Sequence, residues 1–185
     1  MYKKISIFLF LSLILIFTTK TTYAATKDAK SILLKKYPKE VIRLIKTADL
    51  NGDNKDESII LTDSGNLFLV NSKSFVVLIN TNVAYKEDDP SINLITKSSN
   101  EKHVAILVDY FPSNTQVYVY RLEQGTLVNK LQFMADYSAE IDEKGLLHQY
   151  WKKYATEGGY DLVHGTFTWD TKKNKYKASG QFVLQ

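Results

Sequence analysis

Apolar and polar positions change rhythm once along this chain, at Pro38. Before it, Ala29, Ile32, Leu33 and Tyr37 fall three or four residues apart, the spacing that gathers side chains on one face of an α-helix. Pro38 cannot continue such a run, so one short helix is predicted over 28–37, within a leader covering 25–40. From residue 41 onward the chain switches to short runs rich in β-branched and aromatic residues, separated by turn-forming clusters, which is strand and hairpin grammar. Runs at 41–45, 58–62, 66–71 and 75–80 form a first set, with Asp63-Ser64-Gly65 and Ser72-Lys73-Ser74 as hairpin turns. A second set occupies 92–96, 103–111, 116–122 and 126–133, and a third 139–142, 146–154, 160–170 and 176–184. Each set reads as a four-stranded antiparallel meander. The expectation is an all-β protein preceded by one short helix, a single β domain over 41–185 built from units at about 41–82, 92–135 and 136–185.

Residues 1–24 obey neither rhythm. Lys3 and Lys4 precede an unbroken apolar stretch over 5–17, and Thr22-Tyr23-Ala24 offers a small-residue exit, which is the layout of a secretory signal peptide cleaved after Ala24. The apolar stretch is shorter than the roughly 20 residues that span a bilayer, so no stable membrane span is expected after cleavage. The alternative is an uncleaved anchor. The chain contains no cysteine, which excludes both a disulfide framework and a lipidated cysteine after the signal. An exported chain without cysteine is typical of Gram-positive bacteria, so a secreted or extracellular location is expected.

Charge changes the picture by what it removes. The whole chain carries 24 basic and 20 acidic residues, but Lys3, Lys4 and Lys20 lie in the signal segment, which leaves 21 basic against 20 acidic. A nucleic-acid face needs Lys and Arg in excess and clustered, so nucleic acid is discarded as a partner. A chain of this size suits one domain with one substantial core, expected to be a monomer.

Candidate chemistry concentrates in Asp49-Leu50-Asn51-Gly52-Asp53-Asn54-Lys55-Asp56-Glu57. Oxygen-bearing side chains recur at every second position, which is how a tight loop surrounds a hard cation with six to eight oxygens. The expected Ca²⁺ ligands are the side chains of Asp49, Asn51, Asp53 and Glu57 and the backbone carbonyl of Lys55. Gly52 and Asn54 are residue types that accept positive φ, which such a loop requires. Asp49, Asp53, Asp56 and Glu57 would repel one another by ~1 kcal/mol or more per close pair if no cation stood among them. An EF-hand or dockerin loop would need an acidic ligand at position 12, where this chain has Ile60.

The segment 48–61, ADLNGDNKDESIIL, together with the short strand leading in, resembles the calcium loop of FG-GAP repeats, the blade units of integrin-like β-propellers. The resemblance covers about fourteen residues, and the Phe-Gly and Gly-Ala-Pro signatures of that family are absent. It implies structural calcium held by the positions matching Asp49, Asn51, Asp53 and Glu57, and meanders like propeller blades. Closed propellers use four to eight blades, so three units imply an incomplete propeller, a sandwich-like stack or an oligomer that completes the ring.

Other chemistry is sparser. The three histidines, His103, His148 and His164, lack zinc-enzyme spacing, and His164 falls on the polar face of an alternating strand. No nucleophile elbow and no glycine-rich phosphate loop occurs. Tyr150, Trp151 and Tyr154 border the loop 155–159, a place where flat aromatic faces can take a sugar or a peptide. The function expected is a non-catalytic, calcium-binding interaction module, with an unknown protein or cell-wall carbohydrate as partner. The alternatives are a secreted hydrolase of cell-wall glycan or peptide using Asp136, Glu140 or Asp142, and an accessory or inhibitory protein of a secreted enzyme.

Overall fold

Twelve strands follow one helix in the computed structural model, which describes residues 21–183. The helix α1 runs over Thr21–Lys36, and β1 (Ile42–Ala48), β2 (Glu57–Thr62), β3 (Leu67–Val70) and β4 (Val76–Asn80) form a first four-stranded antiparallel sheet in chain order. A second sheet takes β5 (Asp89–Ser98), β6 (Glu101–Asp109), β7 (Thr115–Glu123) and β8 (Thr126–Ala135), and a third takes β9 (Ser138–Ile141), β10 (Leu147–Tyr154), β11 (Tyr160–Asp170) and β12 (Lys175–Val183). The described residues are therefore mostly β, as three meanders and one helix.

The layers stack as α1, sheet 1, sheet 2, sheet 3, and period-2 alternation explains how. In β2, Ile59 and Leu61 pack toward sheet 2 while Ile60 packs toward α1. In β3, Leu67 and Leu69 take the first direction, Phe68 and Val70 the second. Sheet 2 repeats the device: Val104, Ile106 and Val108 meet sheet 1, and Ala105 and Leu107 meet sheet 3. A strand buried on both faces has no polar side to show, which is why these segments read as unbroken apolar runs. On α1, Ala29 and Leu33 cover the remaining apolar face of sheet 1, and just past its end the Tyr37 ring meets that of Phe68 at a tilt, centroids 4.8 Å apart. This face accounts for the helical spacing of the leader.

Strand ends fall up to three residues from the sequence expectation, as where β1 runs on to Ala48 rather than Ile45. The helix reaches back to Thr21, the first described residue, rather than starting at Asp28, so the predicted cleavage position at Ala24 lies inside it; the predicted signal residues 1–20 lie outside the described residues. The strand β5 begins at Asp89, three residues ahead of the expected Ile92. Pro90 sits within it, tolerated because β5 is an edge strand with one neighbour. Among the described residues no helix is long and apolar enough to cross a membrane.

Sheets 2 and 3 are joined by a buried polar network. The fully buried His103 lies between the Tyr176 hydroxyl, 2.8 Å from Nδ1, and the Glu101 carboxylate, 2.8 Å from Nε2, with Trp169 edge-on at 4.5 Å. Glu101 also accepts from Arg121 Nε at 2.9 Å. Burial holds the His103 imidazole below its usual range against the opposing pull of Glu101.

Candidate functional site

The acidic loop between β1 and β2 is wound by its own side chains. Asp49 Oδ1 accepts the amides of Asn51, Gly52 and Asp53 at 3.2, 2.7 and 3.2 Å, and Oδ2 accepts that of Asn54 at 2.9 Å. Asn51 Oδ1 accepts the Asp53 amide at 3.0 Å and Asp53 Oδ1 the Lys55 amide at 2.9 Å. Gly52 and Asn54 adopt φ of 78° and 61°, the left-handed backbone that these residue types tolerate.

The loop is also docked on sheet 2. Lys102 donates its Nζ to the Asp49 carbonyl at 2.9 Å and its amide to the Leu50 carbonyl at 3.0 Å, while Leu50 is buried in the core between sheets 1 and 2. A methyl group on Gly52 would stand 2.8 Å from Asn100 Cα, so only glycine allows this approach.

At the loop's far end, Glu57 is 1% exposed. Its Oε2 accepts the Leu50 amide at 3.2 Å, and the Ser72 hydroxyl also reaches the carboxylate. Burial pushes the Glu57 carboxyl above the usual range, and the charges of Asp53 and Asp49 add to the push. Asp49 moves the opposite way: desolvation works against its charge, but the four amides from Asn54, Gly52, Asn51 and Asp53 hold it below the usual range.

Of the five expected calcium ligands, Asn51, Asp53 and Glu57 line one cleft of about 580 Å³, with Asn71, Ser72 and Gln124 opposite. Asp49 is committed to amides through both oxygens. Among the described residues no three His, Asp or Glu side chains stand close enough together to share a metal ion. The donor set is all oxygen, as a hard cation prefers, and Glu57 is a buried acid with acidic neighbours that a divalent ion would neutralise. Asn51, Asp53 and Glu57 supply oxygens to the lining of the cleft.

The aromatic trio does not converge as one patch. Tyr150 and Trp151 are successive residues of β10 and project to opposite faces; Trp151 touches the position of Gly165, where a methyl would meet its ring at 3.1 Å. Tyr154 stands at the strand end against Tyr160, ring centroids 5.9 Å apart.

Tyr150 belongs instead to a polar ladder on the face of sheet 3 turned away from sheet 2. His148 Nδ1 and His164 Nε2 are 2.7 Å apart, His148 Nε2 lies 3.2 Å from Asp142 Oδ2, and the Tyr150 hydroxyl donates to Glu140 Oε1 at 2.7 Å. The Tyr150 and His164 rings stack at 4.9 Å. The hydrogen bond to Glu140, together with burial, pushes the Tyr150 phenol up to about 12. The alternation signal put His164 on a polar face; its partner 16 residues away depends on strand register, which no local pattern carries. The three acids considered for hydrolysis are each engaged: Glu140 by Tyr150, Asp142 by His148 and the Lys144 and Leu146 amides, and Asp136 by the Lys152 amide at 2.7 Å.

No protein-family model, no curated protein and no solved structure matches this chain.

Proposed function

We propose that the chain is a non-catalytic, exported β protein whose 49–57 loop takes a structural Ca²⁺ and whose stacked meanders present a binding surface outside the cell. The observation that carries the metal is Glu57, a carboxylate buried to 1% exposure beside Asp53 and Asp49. Without a counter-charge that placement opposes folding; a divalent cation in the adjoining cleft turns it into an attraction. The likeness of 48–61 to an FG-GAP calcium loop supports the same reading, and the signal-like residues 1–24 support export.

Extracellular calcium modules work at Kd of about 10⁻⁴–10⁻³ M. At ten times Kd the linked stabilisation is about 1.4 kcal/mol, which in a domain of this size raises the melting temperature by roughly 3–6 °C. Thermal unfolding of the protein with millimolar Ca²⁺ and with chelator tests this. Asp53→Ala should abolish the rise, because Asp53 lines the cleft and supports less of the loop's internal winding than Asp49 does. An unchanged melting temperature with and without calcium rejects the site.

A further inference from the structure

The end of the stack opposite the acidic loop carries most of the exposed aromatic surface. Phe111, Tyr137, Tyr154 and Tyr160 are 100%, 41%, 68% and 50% exposed; Phe111 and Tyr137 lie in the β6–β7 and β8–β9 connections, and Tyr154 and Tyr160 are the strand ends that flank the β10–β11 connection. Tyr137, Tyr160 and Tyr154 form one connected group. Tyr137 and Tyr110 line a cleft of about 400 Å³ with Asp109, Ser113, Asn114 and Ser138. The Lys152 ammonium stands 3.1 Å from Ser113 Oγ, 5.9 Å from the Tyr137 ring centre and 5.7 Å from that of Tyr160. Tyr160 in turn meets Tyr154 edge to face.

We propose that this cleft and its aromatic rim bind a neutral glycan, which deepens the binding-module reading and rests on it. Exposed rings in a contiguous patch mark a recognition surface. The composition selects the occupant. An apolar protein surface laid here would leave Asp109 Oδ2, the Asn114 amide and the Ser138 hydroxyl without partners, at a cost of about 1–3 kcal/mol each. A sugar ring presents a C–H face to a tyrosine and a rim of hydroxyls to those same groups. Thr115 already occupies Asp109 Oδ1 at 2.6 Å, which fixes the carboxylate and leaves Oδ2 to accept a hydroxyl. Tyr137 and Tyr160 are the stacking platforms, with the Lys152 ammonium between them.

Depletion of the protein from solution by chitin, cellulose, starch and mannan, with and without millimolar Ca²⁺, provides the test. Retention on at least one polymer is expected, displaced by the matching soluble oligosaccharide. Tyr137→Ala and Tyr160→Ala should each weaken it at least tenfold, Tyr160→Phe should keep it, and Phe75→Ala, an exposed ring at the other end, should leave it unchanged. Melting curves establish that each variant is folded. Retention by none of the four polymers, or retention that survives both alanine substitutions, overturns the proposal, as does a partner captured through this face that is a protein. If glycan binding fails while the calcium-dependent melting shift persists, only the glycan falls; the reverse pair of results rejects only the metal.

Discussion

The Leu50 amide donates to Glu57 Oε2 at 3.2 Å across the neck of the acidic loop. One residue of that pair is a core side chain and the other a nearly inaccessible carboxylate, so the loop's closure and its charge problem share a single contact. A carboxyl whose folded pKa is raised contributes stability that is present below its ordinary range and lost as pH rises through the elevated value. Calcium-free protein should therefore lose stability between acid and neutral pH on account of Glu57. Glu57→Gln should melt higher than the parent at pH 7 in chelator and show no calcium response; a lower melting temperature at pH 7 would contradict the assignment.

The Gly52 position predicts a graded pair of variants. Forcing a side chain into the left-handed region costs roughly 1–2 kcal/mol, and at Gly52, with φ of 78°, the added methyl also collides with the Asn100 backbone. Gly158, with φ of 95°, has nothing within 4 Å of such a methyl. Gly52→Ala should thus destabilise by more than Gly158→Ala in chemical denaturation, and the excess reports the docking of the loop on the β5–β6 turn.

The helix supplies a third prediction. Leu33 is fully buried against sheet 1, and truncating such a side chain costs about 2–5 kcal/mol. Leu33→Ala should lower the denaturation midpoint accordingly and raise the binding of a hydrophobic dye, because Phe68 and Val70 lose their cover. A change below about 0.5 kcal/mol would show that α1 is dispensable to sheet 1.

His103 gives the acid limb. A histidine whose folded pKa is depressed contributes stability that is present above its ordinary range and lost as pH falls through it. Burial lowers both His103 and His164, so in Glu57→Gln, where the opposing carboxyl is removed, the melting temperature should drop as pH falls from about 7 to 5. His103→Gln should flatten part of that slope while leaving the part due to His164, read from melting curves in a pH series.

Local pattern revealed the strands because a hairpin needs only neighbours. The turns at Asp63-Ser64-Gly65 and Ser72-Lys73-Ser74, and the strands on either side of them, were legible in residue type alone. The positive-φ positions of the acidic loop were legible for the same reason, since Gly52 and Asn54 announce their backbone. Layer order was not: Ile59, Ile60 and Leu61 look alike in a sequence, although the middle one faces a helix and its neighbours face a sheet. Nor did adjacency foretell company. Tyr150 and Trp151 are consecutive and lie on opposite faces, whereas His148 meets His164 across a register that only the folded β10–β11 pair defines. The commitment of Asp49 to four amides was equally hidden, because a side chain suited to a cation is equally suited to a turn.

The two outermost surfaces of the stack differ in kind. One is plugged from within by α1 lying across Ile60, Phe68 and Val70; the other is wetted by Glu140, His148, Tyr150 and His164. Meanders that bury both faces could in principle recruit a fourth plate from a neighbouring molecule and run on into a fibre. Among the described residues, a helix covers one pole and hydrated polar groups line the other, so neither end offers a bare apolar plate to a fourth sheet.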